Sequence, residues 1–233
     1  MDVSNVVTGA ASNYPAAILG LFQELWLPIL LLAAWAYFCG CFNGAVIVSK
    51  YILRDDVRNH GSGNAGLTNF YRTFGGFLTL VVILCDVLKA ILAVGTAILL
   101  AQHFGVHPSA IPLAKYWAGL WCLLGHMFPC MFHFKGGKGI LSGGAIAIMI
   151  DWRIALVVWG GFLILAVLTR YVSLGSCWAG ASFPFATWFV YHNVLITVLG
   201  AVIGCLILYM HRANIHRLLT GTENKFSLHK KKQ

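Results

Sequence analysis

Three short segments of this 233-residue chain concentrate glycine, hydroxyl, amide and basic residues in patterns suited to holding an anion. The first reads Asn59-His60-Gly61-Ser62-Gly63-Asn64-Ala65-Gly66-Leu67-Thr68-Asn69, with Arg72 soon after. Gly61, Gly63 and Gly66 let the backbone turn so that several N–H groups converge, and Ser62, Asn64, Thr68 and Asn69 add side-chain partners. A helix starting near Thr68 places Arg72 one turn further on the same face. The second reads Phe134-Lys135-Gly136-Gly137-Lys138-Gly139-Ile140 and leads straight into an apolar run. Free N–H groups and the dipole at a helix start both favour an anion there, and two lysines add charge. It is not a Walker-type nucleotide loop, because Phe132 stands where the first glycine is required and no Ser or Thr follows Lys138. The third runs from His211 through Arg212, Asn214 and Arg217 to Glu223 and Lys225. If it stays helical, His211 and Asn214 share a face and Arg217 lies one turn beyond.

The elements that must position these segments are membrane helices. Hydrophobic residues make up 59% of the chain and charged ones 10%, with a mean hydropathy of +0.80. A soluble domain carries about 25% charge, so a water-soluble globular enzyme is excluded. The net charge of +9 reads as loop charge that orients spans, not as a nucleic-acid footprint. Stretches free of Asp, Glu, Lys and Arg run from Leu25 to Ser49, Ala90 to Ala114, Tyr116 to Phe134, Ile154 to Thr169 and Tyr171 to His211. The last is long enough for two crossings of about 20 residues, with a polar break at His192-Asn193. A further crossing begins near Phe77 and absorbs Asp86 and Lys89, which should face the bundle and each other.

The run from Gly139 to Ile150 is short enough to be re-entrant, and charge placement decides the matter. If it crosses, one side holds Lys50, Arg54, Arg58, Arg72, Lys135, Lys138, Arg170, Arg212, Arg217, Lys225 and Lys230 to Lys232, against Lys115 and Arg153 on the other. The positive-inside rule therefore predicts an all-α integral membrane protein with seven transmembrane helices, an extracytoplasmic N-terminus and a cytoplasmic C-terminus. Residues 1–25 lack the basic region of a signal peptide and read as an extracytoplasmic extension, with a short interfacial helix around Ala16 to Leu27. Residues 26–226 form the seven-span domain, and 227–233 a basic cytoplasmic tail attracted to anionic lipid. The seven Cys sit in apolar runs and read as buried free thiols. No metal is implied, since the nine His are scattered and carboxylates are few.

Each polar segment alone also fits a span-joining loop or a snorkelling helix end. Two glycine loops and one polar helix end on a single membrane face point instead to a composite site for phosphorylated substrates. A transporter of phosphorylated metabolites is the rival reading, but transporters place such groups near mid-membrane and often show internal repeats. A structural lipid-binding protein gives no reason for the glycine loops.

The strings GSGNAGLTNFYRTFG, FKGGKG and HRANIHRLLTGTENK resemble the three signature motifs of the bacterial acyl-phosphate glycerol-3-phosphate acyltransferases (PlsY type). Asp86-Val87-Leu88-Lys89, Gly125-His126-Met127-Phe128-Pro129 and Arg170-Tyr171-Val172-Ser173-Leu174-Gly175-Ser176 resemble family segments too, so the similarity extends from about Phe38 to Phe226. The chain departs from the family's usual pattern at Cys41-Phe42-Asn43-Gly44, at Ala213, and at Ile140-Leu141-Ser142, where Ser142 can replace a threonine hydroxyl.

The resemblance implies acyl transfer from a fatty acyl-phosphate to the 1-hydroxyl of sn-glycerol 3-phosphate, giving lysophosphatidate and phosphate, without a cofactor. It implies catalytic roles for Ser62, Arg72, Lys138, His211 and Asn214. Gly61, Gly63, Asn64, Gly66, Thr68, Asn69, Lys135, Gly136, Gly137, Gly139, Ser142 and Arg212 would bind substrate. The active site would lie on the cytoplasmic face of the bacterial inner membrane, functionally linked to an acyltransferase that makes acyl-phosphate. No Asp stands five residues after any His, so the His–Asp acyltransferase chemistry has no place here.

Overall fold

The computed structural model describes residues 14–226, with side chains from Leu25 onward. Among these residues the chain is helical and carries no strand. The helices are α1 Tyr14–Cys41, α2 Gly44–Ile47, α3 Leu67–Thr73, α4 Leu78–His103, α5 Ile111–Met127, α6 Ile140–Ile150, α7 Trp152–Thr169, α8 Val172–Tyr191, α9 Val194–Met210 and α10 Arg212–Leu219. Residues 1–13 of the extension expected at 1–25, and the basic tail at 227–233, lie outside the described residues.

Local chemistry sets several boundaries. The apolar run from Tyr171 to His211 divides where the sequence predicts: His192 takes a φ of 47°, and Asn193 Oδ1 accepts the Ile196 N–H at 3.1 Å to cap α9. Asp151 caps α7 in the same way, accepting from Arg153 N at 2.8 Å. One expectation fails. The short interfacial helix around Ala16 to Leu27 is not a separate element, because α1 runs unbroken through Pro28 to Cys41. A proline removes one N–H, and a membrane helix tolerates that loss.

α4 and α7 are each long and apolar enough to cross a bilayer, and up to four spans result if two bent pairs count as one span each. Those pairs are Leu25–Cys41 with Gly44–Ile52, bent by 41°, and Val194–Met210 with Arg212–Leu219, bent by 61°. The helices pack through small residues, as lipid-embedded bundles do. A Cβ on Gly40 of α1 would overlap the Cys122 carbonyl of α5, and one on Gly204 of α9 would overlap the Gly180 carbonyl of α8. Leu31, Leu99, Leu156, Val167, Leu168 and Phe189 stay exposed on the outside, a surface suited to lipid.

One charged cluster lies inside this bundle. Lys89 Nζ donates to Asp86 Oδ1 at 2.6 Å, to His126 Nδ1 at 2.6 Å and to the Phe42 carbonyl at 3.2 Å. Asp86 and Lys89 thus face each other as their spacing predicts, and His126 joins them from α5. Removing one partner of a buried pair strands the other charge, which costs about 3–5 kcal/mol, whereas replacing both with apolar residues is far less damaging. Thermal unfolding in detergent should therefore show Lys89→Met losing about that much, with the Asp86→Leu/Lys89→Met double variant recovering most of it. An equal loss in the double variant would contradict this role.

Candidate active site

The first glycine-rich segment is shaped by one buried amide. The two hydrogens of Asn69 Nδ2 are shared among the carbonyls of Val57, His60 and Asn64 at 3.0, 3.0 and 3.1 Å, and its Oδ1 accepts the Ser62 N–H at 3.0 Å. Gly61 and Gly63 take φ of 56° and 68°, and a Cβ on Gly61 would strike Asn69 Oδ1. Asn69 was expected among the substrate-binding residues; its amide instead holds the loop's own backbone. This leaves Ser62 exposed at the loop's tip. Asn43, in the break after α1, donates to the Ala65 carbonyl at 3.1 Å and fixes the other limb of the loop.

Arg58 ties this segment to the second. Its guanidinium pairs with Asp56, the shortest contact being 2.7 Å, and its Nη1 donates to the carbonyls of Phe132 at 2.9 Å and Lys135 at 3.3 Å. The side-chain bond to Asp56, outweighing burial, holds that carboxyl below the usual range.

In the second segment the chain folds back on the end of α5. The N–H groups of Gly136 and Gly137 donate to the carbonyls of Met127 and His126, both at 3.1 Å. Those two amides were expected to face an anion and are occupied by backbone. Gly137 leaves no room for a side chain, since a Cβ would meet both His126 and the Ala65 carbonyl of the first loop. Gly139, with φ of 78°, then begins α6, whose N-terminus has no side-chain cap. Ser142 was also expected at substrate. It is fully buried, with its Oγ 3.4 Å from His126 Nδ1, so it supports the charged cluster beneath the loop.

The third segment bends away from α9 at His211. That side chain is buried, and Nδ1 lies 2.8 Å from the Ile207 carbonyl. A carbonyl only accepts, so Nδ1 carries the proton and Nε2 keeps a free lone pair. Asn214 bridges two charges: its Oδ1 accepts from Lys138 Nζ, and its Nδ2 donates to Glu223 Oε1 at 2.8 Å. An ammonium only donates and a carboxylate only accepts, so the amide can stand one way round. Glu223 Oε2 also accepts from Arg217 Nε at 2.7 Å. Burial works to raise the Glu223 carboxyl, but the bonds from Asn214 and Arg217 hold it below the usual carboxylate range. Burial and then the neighbouring Arg217 charge hold Lys138 below the ordinary lysine value.

The three segments close on one another. Arg58 and Gly137 join the first to the second, Lys138 and Asn214 join the second to the third, and the Tyr71 and Phe226 rings, 6.1 Å apart, join the third to the first. Arg72 and Lys135 are exposed beside these contacts, and among the described residues neither side chain has a bonded partner. Arg212, expected at substrate, folds back onto Tyr209, donating to its carbonyl at 2.9 Å with its guanidinium 4.3 Å from the ring centre. Sequence reasoning missed Arg58, Asn43 and Glu223. A lone glutamate between Arg217 and Lys225 was the one visible hint.

The chain was compared with known proteins. The family model described as glycerol-3-phosphate acyltransferase matches residues 30–221. The glycerol-3-phosphate acyltransferase of Thermoanaerobacter pseudethanolicus is 35% identical over 196 residues, covering 84% of this chain and 94% of that protein. The enzymes of the same name from Bacillus subtilis and Yersinia pestis (strain Pestoides F) are 36% and 39% identical, covering 84% and 85% of this chain and 97% and 88% of their own lengths. Two crystal structures of PlsY, an integral membrane glycerol 3-phosphate acyltransferase, are similar in fold. The glycerol 3-phosphate form has a TM-score of 0.75 at 34% identity and covers 86% of this chain and 96% of its own. The lysophosphatidic acid form has a TM-score of 0.72 at 33% identity with the same coverage.

The depressed Lys138 carries a pH prediction. Its positive charge is full at low pH and is lost as pH rises through the lowered value, earlier than for an ordinary lysine at about 10.4. Affinity for glycerol 3-phosphate, followed by isothermal titration, should therefore fall on the alkaline side, and Lys138→Arg, which stays charged, should move that fall to higher pH. An unmoved alkaline limb would remove Lys138 from the binding charge.

Proposed function

Because the chain belongs to the membrane-integral glycerol-3-phosphate acyltransferase family, we propose that it moves a fatty acyl group from an acyl-phosphate to the 1-hydroxyl of sn-glycerol 3-phosphate. The products are lysophosphatidate and phosphate, in the first acylation of phospholipid synthesis. The observation that carries this reading is the Lys138–Asn214 contact, which unites two segments suited to phosphate. Two phosphorylated substrates need two anion-binding groups side by side.

An acyl-phosphate is a mixed anhydride with a good leaving group, so direct attack suffices once geometry is fixed and charge is stabilised. The glycerol 1-oxygen bonds to the acyl carbon, the carbon–oxygen bond to phosphate breaks, and the departing phosphate takes the hydroxyl proton. No acyl-enzyme forms. Ser62 with Gly61, Gly63, Asn64, Gly66 and Thr68 serves the donor phosphate. Lys138, Lys135 and Arg72 supply positive charge, and the Nε2 lone pair of His211 orients the acceptor hydroxyl. The second hydrogen of the Asn214 amide is left to meet the developing oxyanion.

The membrane arrangement of this reading is seven crossings with the N-terminus outside. The 11-residue α6, about 16 Å long at 1.5 Å per residue, completes its crossing with the loop before Gly139 that folds back on α5. The excess of Lys and Arg on the loop side sets the active site on the cytoplasmic face of the bacterial inner membrane, where a separate enzyme must supply acyl-phosphate.

Purified protein given palmitoyl-phosphate and glycerol 3-phosphate, without ATP, metal, coenzyme A or carrier protein, should release phosphate only when both substrates are present. Activity with acyl-CoA and none with acyl-phosphate would overturn the donor assignment. Asn214→Ala should cost about 10²–10³-fold in kcat, the effect of deleting one preorganised donor.

A further inference from the structure

Two thiols stand outside the reaction just described. Cys41 ends α1 and is fully buried, whereas Cys130, in the turn Cys130–Phe132 after α5, is exposed. Their sulfurs are 3.9 Å apart although the residues are 89 positions apart in sequence. Among the described residues no other pair of the seven thiols comes within hydrogen-bonding distance.

Both thiols sit next to groups that hold the site together. After Cys41, the Phe42 carbonyl accepts from Lys89, and Asn43 holds the Ala65 carbonyl of the first glycine loop. After Cys130, the Phe132 carbonyl accepts from Arg58, and the turn leads directly into the loop that carries Lys138. Tyr37 on α1 donates to the Phe128 carbonyl at 2.7 Å, so the two backbones are already fastened beside the sulfurs. A disulfide needs the sulfurs at about 2.05 Å, a contraction that the one-turn segment at Cys130 can make and the helix end at Cys41 cannot.

We propose that Cys41 and Cys130 form an oxidation site that takes a peroxide and locks the Lys138 loop to the end of α1. Hydrogen peroxide reaches the exposed thiol first. The Cys130 sulfur, attacking as thiolate, bonds to one peroxide oxygen, the O–O bond breaks, and the Cys130 proton leaves with the other oxygen as water. The Cys41 sulfur, losing its proton, then attacks the Cys130 sulfenic acid and expels a second water. Two thiols and one peroxide thus give one disulfide and two waters, the thiols being oxidised and the peroxide reduced. The bond pulls Phe132 and Lys135, whose carbonyls Arg58 holds, toward α1, and Lys138 shifts from Asn214. A dithiol reductant reverses the reaction, and in a reducing compartment the pair rests as thiols.

The loss of acyl transfer rests on the function proposed above, but the bond itself does not. The test treats reduced, detergent-solubilised full-length protein with hydrogen peroxide, alkylates the remaining thiols, and reads peptides by mass spectrometry alongside acyl transfer. The expected result is a peptide joined through Cys41 and Cys130, with a several-fold fall in kcat that dithiothreitol restores. Cys130→Ser should keep full activity in the reduced state and lose the response to peroxide, and Cys41→Ala should lose the cross-link. Absence of a Cys41–Cys130 peptide in oxidised wild type would overturn the site, and a full cross-link with unchanged kcat would overturn its coupling to the loop. If the reduced protein transfers no acyl group, the proposed function fails, while the peptide map still decides the thiol site.

Discussion

The arrangement of this site turns on a neutral amide placed between opposite charges. Asn214 accepts from Lys138 and donates to Glu223, which also holds Arg217. Without that bridge, two cations in a half-buried place would repel each other. A single carboxylate balances both, while the amide fixes where the ammonium points. The result is positive charge that is positioned yet not neutralised, as binding of a phosphate requires.

Everything nearby keeps that bridge in register. Gly137 presses against His126 and Ala65, so the lysine-bearing loop can reach Asn214 only when the end of α5 and the first glycine loop are both in place. Arg58 fastens the same loop from the other side through two backbone carbonyls. Beneath it, the Asp86–Lys89–His126 cluster anchors Phe42 at the end of α1 and Ser142 at the start of α6. The buried charges thus join the elements from which the polar loops spring.

Much of this was legible in the sequence because composition marks it. Glycine, amide and basic residues clustered in three places, and those three places converge. The polar break at His192-Asn193 marked a helix boundary, and the spacing of Asp86 and Lys89 announced their pairing. What stayed hidden involves backbone partners, which leave no trace in residue type. Arg58 reaches carbonyls 74 and 77 positions away. Gly136 and Gly137 use their N–H groups to fold back on α5, a demand set by the turn and not by a ligand. Asn69 and Arg212 carry the right chemistry for substrate, but one is drawn inward by backbone carbonyls of its own loop and the other lies across Tyr209. The continuity of α1 through Pro28 shows the same limit, since the sequence cannot say whether a helix absorbs a proline or ends before it.

Lys138 and Asn214 work as one unit, the amide fixing where the ammonium points, and a double-mutant cycle tests this most directly. Acyl-transfer rates would be measured for wild type, Lys138→Ala, Asn214→Ala and the double variant, with folding checked in each. Coupled residues give an interaction energy of about 0.5–3 kcal/mol, so the double variant should be scarcely worse than the poorer single one. Two losses that simply add, to within about 0.5 kcal/mol, would show that the residues act independently and would contradict the account.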